Sequence, residues 1–297
     1  MVAMKWQGKI VEIYDLWWKP YTVQELPFWI RTCSDYVMKN KIEEGELRLV
    51  ELCSGTGRIL IPIVKALRQS FPCMKVSAIG LDYSRDMNKK HLEKLESDSI
   101  LKDAIKVHEF DIRNKKWGTV LGKDLVNIFI LPFNQFGLMG DPISQENIML
   151  NVSLYLVAGG IFVLVDYNPE NRRLEDLLGK KIYRYMVYDD EKKLVLFYWR
   201  EARPINTDHR YAEITYAADC VKWSDKGLHL ETLSENMVIY YNSPEQLDGL
   251  LKKHKIETAV RYGGYNNEPL TKESYSQVII ARKAVDNEYS ESNYVKS

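Results

Sequence analysis

The stretch LVELCSGTGRILI, residues 49–61, constrains the fold of this chain more than any other. It begins as an apolar run typical of a buried strand and ends as an apolar-faced helix, with Gly55 and Gly57 in the turn between them. Glycine permits positive φ angles there and lets a ligand approach the main chain closely. The helix that follows directs its free N–H groups and its positive dipole end at the turn. With Glu51 just before the turn, the stretch predicts a pocket for a polar small molecule.

Nucleotide-binding motifs match this turn only in part. A dinucleotide fingerprint needs G-x-G-x-x-G, and its third glycine is missing because residue 60 is Leu60. A phosphate loop needs G-x-x-x-x-G-K-[ST], which the sequence lacks. An ordinary strand-to-helix turn of an α/β protein also fits, so the rest of the chain has to decide.

The composition is that of an ordinary globular protein, with 297 residues, 45% hydrophobic and 28% charged. Lys+Arg and Asp+Glu both number 41, so the charge balance gives no argument for nucleic acid or an anionic membrane as a partner. The four cysteines lack a C-x-x-C pair and metal-ligand spacing, which predicts reduced thiols, no metal site and a cytoplasmic protein. We see no apolar run of membrane-spanning length and no signal core.

Strands and helices alternate from residue 47 to 167, which predicts a mostly parallel sheet with helices on both faces. The helix that follows the first strand, Ile59 to Leu67, contains Pro62 and is expected to kink there. The predicted strands are 47–53, 76–82, 105–110, 125–130 and, after Gly159-Gly160, 160–167.

Residues 1–44 form an aromatic-rich N-terminal cap, predicted to be helical and broken at Pro20 and Pro27. A different pattern follows the fifth strand: residues 170–242 are β-rich and contain turn signals, which predicts an antiparallel β-meander inserted into the sheet. Its predicted strands are 183–188, 194–199, 211–216 and 228–240.

The C-terminal part returns to the first pattern. Ser243, Pro244 and Gln246 form a capping box that opens a helix running to about His254. Strands over 256–262 and 275–282 follow, and residues 286–297 are polar and expected to be flexible. The predicted Rossmann-like core is therefore 45–169 together with 243–285, with seven strands in its sheet.

Polar residues stand at the ends of four predicted parallel strands: Glu51 with the glycine turn, Asp82, Asp111 and Asn134. In an open α/β sheet a ligand lies across the carboxyl ends of the strands. An acidic group at the end of the second strand can accept both hydroxyls of a ribose. These ends together predict one crevice for a nucleoside-containing ligand.

This arrangement resembles the class I S-adenosylmethionine-dependent methyltransferases, whose first motif is acidic-x-G-x-G-x-G. Glu51, Gly55 and Gly57 match that motif, while Cys53 replaces its first glycine. The resemblance covers roughly the whole chain in order, but only the cofactor motifs are specific. It implies S-adenosyl-L-methionine as cofactor, S-adenosyl-L-homocysteine as product, and a cofactor site formed by Tyr14, Tyr21, Glu51, Cys53, Ser54, Gly55, Thr56, Gly57, Arg58, Asp82, Tyr83, Ser84, Met87, Asp111, Ile112, Leu131, Pro132 and Asn134.

The family resemblance also implies transfer of a methyl group to an N or O nucleophile of a small molecule. The cap would act as a lid, and the substrate candidates are Phe136, Tyr167, Trp199 and Arg200. No general base is evident, which favours an amine acceptor; Tyr14 and His209 are the catalytic candidates, although a histidine in the insert is more simply a strand-surface residue. The comparable position to the base-methylation signature N/D-P-P-Y/F reads Leu131-Pro132-Phe133-Asn134, so nucleic acid is not expected as substrate.

Two other functions remain possible from the sequence. One is a nicotinamide-dependent oxidoreductase, which the incomplete dinucleotide fingerprint disfavours. The other is a methyltransferase-like protein that binds the cofactor or a partner without catalysis. The β-rich insert could also form the surface of a homodimer.

Overall fold

The computed structural model describes residues 6–139, 141–171, 179–204 and 211–285. Within these residues there is a seven-stranded sheet, flanked by helices, and a four-stranded sheet. In chain order the elements are α1 (Lys9–Asn40), β1 (Glu46–Leu52), α2 (Leu60–Ser70), β2 (Lys75–Asp82), α3 (Arg85–Glu96), α4 (Ser99–Ala104), β3 (Ile105–Glu109), α5 (Gly118–Leu121), β4 (Val126–Leu131), a 3₁₀ turn (Gly137–Met139), α6 (Pro142–Tyr155), β5 (Leu156–Tyr167), β6 (Ile182–Asp189), β7 (Leu194–Pro204), β8 (Tyr211–Ser224), β9 (Gly227–Tyr240), α7 (Pro244–Lys253), β10 (Ile256–Tyr262) and β11 (Ser276–Lys283).

The large sheet has the strand order β10-β11-β5-β4-β1-β2-β3. β1 pairs in parallel with β2 and β4, and β3 and β5 continue the sheet in parallel on either side. β11 is antiparallel to both of its neighbours, β10 and β5. The predicted seven-stranded, mostly parallel sheet is therefore confirmed, and the antiparallel hairpin β10-β11 closes it.

Apolar side chains fill both faces of this sheet. On one face the side chains of α1, α2 and α4 form a buried cluster with the strands, centred on residues such as Trp29, Ile63 and Leu101. On the other face α5, α6 and α7 pack through residues such as Leu121, Met149 and Leu251. Helices on both faces hold the carboxyl ends of β1, β2, β3 and β4 at one edge, where the predicted site residues lie.

The inserted sheet is an antiparallel meander, β6-β7-β8-β9, as predicted. Its inner face forms a third buried cluster with the N-terminal half of α1, including Trp17, Trp18, Tyr198 and Ile214. The hydroxyl of Tyr185 on β6 donates to the carbonyl of Trp17 at 2.5 Å. The insert therefore covers the same edge of the large sheet that carries the strand ends.

Three predictions about proline and glycine were wrong. Pro20 and Pro27 do not break α1, which is one helix of 32 residues, because buried residues such as Trp17, Trp18, Phe28 and Trp29 hold both halves against the core. Pro62 does not interrupt α2, which continues to Ser70, because it lies in the first turn, where a backbone donor has no partner in the helix. Gly159 and Gly160 lie inside β5 rather than before it, where the register against β4 shifts.

Candidate active site

Two cavities lie at the carboxyl edge of the large sheet. The first, which we call the loop cavity, is bounded by the glycine turn and the ends of β2 and β3 and encloses about 60 Å³. The second, which we call the tyrosine cavity, encloses about 210 Å³ between α1, the insert and the loop before β11. Neighbouring residues of the same elements line both: Tyr14 of α1 lines the loop cavity and Trp18, one turn later, lines the tyrosine cavity. Likewise Gln135 lines the first cavity and its neighbour Asn134 lines the second.

The backbone of the glycine turn is left-handed at three positions, with φ of 57° at Cys53, 52° at Gly55 and 73° at Gly57. Gly55 faces the loop cavity, since a Cβ built there would lie 4.0 Å from both the Met87 sulfur and Tyr14 Cε1. Gly57 faces α3 instead, since a Cβ built there would lie 2.4 Å from Nε2 of His91. The two glycines therefore have different roles. Gly55 leaves space in the loop cavity, and Gly57 lets α3 pack closely against the turn.

Asp82 joins the glycine turn to the end of β2. One carboxylate oxygen accepts from Gly55 N at 2.9 Å and the other from Ser84 N at 2.8 Å. Burial raises the pKa of Asp82 to about 6 against the opposing effect of these two bonds. A carboxylate has further lone pairs, so Asp82 can accept additional hydrogen bonds from a ligand in the loop cavity.

Ser84 and Ser54 support this corner without lining either cavity. Ser84 is the N-cap of α3, accepting from Met87 N, and its hydroxyl donates to the carbonyl of Trp6. Ser54 is buried beside Gly80, where its backbone N–H donates to Leu81 O at 3.0 Å. Met87, Tyr83 and Trp6 do line the loop cavity.

Glu51 lies beneath the turn, 2% exposed. Its carboxylate accepts from Leu60 N at 3.0 Å and so satisfies a free donor at the start of α2. Desolvation raises the pKa of Glu51 well above its ordinary value. Glu51 therefore holds the helix that follows the turn, and it does not line either cavity.

Two side chains of the turn fasten it to α1. The Thr56 hydroxyl donates to the Asp15 carboxylate. Arg58 forms a buried ion pair with Glu25 and donates to the Thr22 hydroxyl at 3.0 Å. Through these contacts α1 is fixed over the turn, and Tyr14 is placed at the loop cavity, where burial raises its pKa to about 12.

Asp111 and Ile112, which follow β3, both line the loop cavity. Arg113 pairs with Asp111 through two nitrogens, at 2.8 and 2.5 Å, and this pairing lowers the pKa of the carboxyl despite its partial burial. Trp117 Nε1 donates to the Ile112 carbonyl at 3.0 Å and fixes the turn. Asp111 is therefore ionised and part-exposed at the rim, already held by an arginine that sequence reasoning did not identify.

The exit of β4 separates the two cavities. Phe133 and Asn134 both have left-handed backbones, with φ of 64° and 55°. The Phe133 ring lies between the Arg58 guanidinium, 5.0 Å away, and Trp18, 4.4 Å away. Asn134 is buried at the tyrosine cavity, and its Oδ1 has no partner among the described residues. A free amide oxygen at this point can accept a hydrogen bond from a ligand.

Three predicted residues near this exit do not line the cavities. Leu131 and Phe136 are fully buried in the apolar cluster beneath the sheet, with Pro132 buried beside them. We therefore remove Phe136 from the substrate candidates. Asp166, which the sequence gave no reason to single out, ties the region together by accepting from Gly137 N at 3.0 Å and from the Asn242 amide at 3.0 Å.

The tyrosine cavity is built mainly from side chains of different elements. Tyr21 comes from α1, Tyr167 from the end of β5, Tyr198 and Arg200 from β7, Tyr216 from β8, and Tyr275 from the residue before β11. The hydroxyls of Tyr167 and Tyr216 bond to each other. Burial raises the pKa of Tyr198 well above its ordinary value, so these rings are neutral phenols.

Trp199 lies on the opposite face of the insert from Arg200. Residues along a strand alternate between faces. Arg200 therefore points inward with Tyr198, whereas Trp199 packs against Lys181, whose Nζ lies 4.0 Å from the ring centroid. Trp199 does not line the tyrosine cavity, so we do not keep it as a substrate residue. His209 lies outside the described residues.

The structure thus brings most of the predicted residues to the two cavities. Around the loop cavity are Tyr14, Cys53, Gly55, Asp82, Tyr83, Met87, Asp111 and Ile112. Around the tyrosine cavity are Tyr21, Asn134, Tyr167 and Arg200. Sequence reasoning missed Trp18, Tyr198 and Tyr275, although the two-residue spacing of Tyr198 and Arg200 on one strand could have indicated that they share a face.

Comparison with known proteins gives the fold. No family model and no curated protein sequence matches the chain. Among solved structures it is similar to an S-adenosylmethionine-dependent methyltransferase from Clostridium acetobutylicum ATCC 824, at 15% identity over 93% of this chain and 98% of that one, with a TM-score of 0.68. It is also similar to the CcbJ methyltransferase from Streptomyces caelestis, at 17% identity over 96% and 100% of the two chains, with a TM-score of 0.69.

A third similar structure is that of CalS10, an amino pentose methyltransferase from Micromonospora echinaspora, at 14% identity over 96% of this chain and 100% of that one, with a TM-score of 0.66. The chain therefore has the fold of S-adenosylmethionine-dependent methyltransferases over nearly its whole length, including the insert. No helix in the described ranges has both the length and the apolar character needed to cross a membrane.

Proposed function

We propose that the protein transfers a methyl group from S-adenosyl-L-methionine to a nitrogen or oxygen of a small molecule, and that an amine is the better acceptor. The observation that carries this proposal is the loop cavity. There Gly55 and the Asp82 carboxylate meet at the carboxyl edge of a sheet with the methyltransferase fold.

The residues of the loop cavity fit an adenosyl group. The space at Gly55, which a side chain would fill, lets a ligand contact the backbone. Asp82 can accept from ribose hydroxyls, and Ile112 offers an apolar contact for a base. Tyr83 also lines this cavity, and its buried hydroxyl has no partner among the described residues.

Trp6 and Tyr14 of the N-terminal segment line the loop cavity, as expected of a lid. We propose that this segment moves outward to admit the cofactor. Two contacts of that segment with α3 would be released, from Gly8 N to the Asp86 carboxylate at 2.8 Å and from the Ser84 hydroxyl to the Trp6 carbonyl.

S-adenosyl-L-methionine supplies an electrophilic methyl group on a sulfonium. This chain's part would be to hold the acceptor against it, since alignment of the two reactants can supply much of the rate. Trp18 and Phe133, which line the tyrosine cavity, offer ring faces that tolerate positive charge. Asn134 and the surrounding phenols would orient the acceptor in the tyrosine cavity.

The surroundings of the tyrosine cavity favour an amine acceptor. Among the described residues that line it there is no carboxylate and no histidine to remove a proton. Burial and the nearby Arg200 cation both disfavour an ammonium ion, so a bound amine would be unprotonated and nucleophilic. Tyr14 is a poor base because its neutral form is stable at ordinary pH. CalS10 and KedS8, both similar in structure, are an amino pentose methyltransferase and a sugar N-methyltransferase.

We also propose that the chain has three functional parts. Residues 1–44 form the cap, residues 45–169 and 243–285 form the cofactor-binding core, and residues 170–242 form the insert that covers the substrate. The outer face of the insert would form a homodimer interface, because it exposes Tyr183, Met186, Tyr188, Phe197, Leu228 and Leu230 together. The balanced charge supports an acceptor other than nucleic acid, and four free cysteines support a cytoplasmic location. Sedimentation equilibrium would report the oligomeric state, with a monomer at all concentrations contradicting the dimer.

An acceptor screen tests the reaction itself. Purified protein is incubated with S-adenosyl-L-methionine and a panel of small amines, alcohols and phenols, and release of S-adenosyl-L-homocysteine is measured. We expect release with amines, and loss of that release in Gly55→Ala. Cofactor binding without release from any acceptor would favour a non-catalytic binding protein.

A further inference from the structure

Arg200 is a buried cation with no anionic partner among the residues that the structure describes. Arg200 is only 4% exposed and lines the tyrosine cavity. One terminal nitrogen donates to the Tyr275 hydroxyl, and the guanidinium lies 4.7 Å from the Tyr275 ring centroid. Its Nε is buried and has no hydrogen-bond partner among the described residues. The guanidinium therefore has a donor that the described part of the chain does not use.

The charges around Arg200 do not balance it. The tyrosines that face it, including Tyr21, Tyr198 and Tyr216, are neutral phenols because burial raises their pKa values. Arg184, which is close enough to act on Arg200, is also a cation. Arginines elsewhere behave differently: buried Arg58 has Glu25, and part-exposed Arg113 has Asp111. An unpaired buried charge is costly, and burial of a cation is usually accompanied by an anion.

We propose that the methyl acceptor carries an anionic group, a carboxylate or a phosphoryl group, which Arg200 binds inside the tyrosine cavity. The guanidinium has a planar fork of donors that matches both groups, and its free Nε edge can bind two oxygens side by side. Phenol hydroxyls of the cavity supply further donors to the same oxygens. This inference rests on the proposed function only in calling the ligand the methyl acceptor; the anion site itself does not depend on it.

Simple anions test the site without knowledge of the acceptor. The thermal unfolding temperature of the protein, without cofactor, is measured at constant ionic strength while chloride is replaced by inorganic phosphate in one series and by acetate in another. We compare wild type with Arg200→Gln, Arg200→Lys and Arg203→Gln. Arg203 is the matched control, since it lies on the same strand but is exposed and paired with Glu201.

We expect saturable stabilisation of wild type and of Arg203→Gln by one or both anions. The apparent affinity should be at least tenfold weaker in Arg200→Gln and partly restored in Arg200→Lys. A response to phosphate alone assigns a phosphoryl group, and a response to acetate alone assigns a carboxylate. Equal responses in wild type and Arg200→Gln, or no response in wild type, would overturn the proposal.

Two further measurements keep the result interpretable. If Arg200→Gln does not fold, wild-type crystals soaked in selenate are examined by anomalous diffraction, with a selenium peak within hydrogen-bonding distance of Arg200 expected and its absence contradicting the site. Binding of S-adenosyl-L-homocysteine is measured in parallel and should be unchanged in Arg200→Lys. Absence of that binding in wild type would refute the proposed function while leaving the anion result standing.

Discussion

The loop cavity and the tyrosine cavity are neighbours built on opposite principles. The loop cavity is formed by backbone and by residues close to strand ends, with two acidic groups, Asp82 and Asp111, at its rim. The tyrosine cavity is formed by long side chains from α1, the insert and the last loop, with the cation Arg200 inside it. The loop cavity is suited to a polar ligand that carries hydroxyl groups. The tyrosine cavity, which is lined by aromatic rings, is suited to an anionic ligand. This difference supports the proposal that the two cavities hold two different ligands.

The largest expected effect concerns the buried ion pair that fastens α1 to the glycine turn. Glu25 pairs with buried Arg58 and also accepts from Trp29 Nε1 at 3.1 Å. Glu25→Ala leaves a buried cation unpaired, and we expect it to lower the free energy of unfolding by about 3–5 kcal/mol.

Chemical denaturation measures this change. The control is Glu201→Ala, which removes the half-buried partner of exposed Arg203 and should cost no more than about 1 kcal/mol. Similar losses for the two variants would mean that α1 is not held to the glycine turn through this pair.

The next prediction separates the loop cavity from general backbone strain. Gly55→Ala and Gly122→Ala both place a side chain at a positive φ, 52° and 69°, and each should cost about 1–2 kcal/mol of stability. Only the Cβ at residue 55 enters the loop cavity, because Gly122 does not line it and a Cβ there meets no atom within 4 Å. We expect affinity for S-adenosyl-L-homocysteine to fall about 100-fold, roughly 2.7 kcal/mol, in Gly55→Ala alone. Equal affinities in the two variants would move the ligand away from this turn.

The third prediction uses the acidic character of the loop cavity. Burial raises the pKa of Asp82 to about 6. Lowering the pH from about 7.5 to about 5 therefore protonates the Asp82 carboxylate, which we propose accepts hydrogen bonds from the cofactor. Affinity for S-adenosyl-L-homocysteine should then fall about tenfold. The contribution of Asp82 to the free energy of unfolding should have the opposite pH dependence. A carboxyl whose pKa is raised in the folded state contributes stability below its ordinary pKa, and this contribution is lost as the pH rises through about 6.

Asp82→Asn is the control for the pH dependence of both the binding affinity and the stability. Titration calorimetry and denaturation of this variant at the two pH values should show weaker binding whose dependence on pH is reduced. An unchanged pH dependence in Asp82→Asn would assign the titration to another group.

The smallest expected effect lies in the tyrosine cavity. Tyr216→Phe removes the hydroxyl bond to Tyr167, and the free energy of unfolding should fall by about 1 kcal/mol. Binding of S-adenosyl-L-homocysteine should be unchanged, because Tyr216 does not line the loop cavity. A loss of cofactor affinity in this variant would mean that the two cavities act as one.

The same contrast explains what could be predicted from sequence. The loop cavity follows from local patterns, since Gly55, Asp82 and Asp111 each come directly after an apolar strand. The tyrosine cavity depends on pairings between residues far apart, such as Tyr167 with Tyr216, that no local pattern specifies. Glu51 matched the motif, but its carboxylate bonds α2 instead of facing the cavity. Pro20 and Pro27 misled prediction because tertiary packing of α1 outweighs the local cost of proline.

Titration calorimetry of the wild-type protein with S-adenosyl-L-homocysteine, and separately with NAD⁺, tests the central claim most directly. We predict one binding event per chain with S-adenosyl-L-homocysteine, weakened by Gly55→Ala but not by Gly122→Ala, and no heat with NAD⁺. Binding of NAD⁺ with no heat from S-adenosyl-L-homocysteine would contradict the assignment of the loop cavity to the adenosyl cofactor.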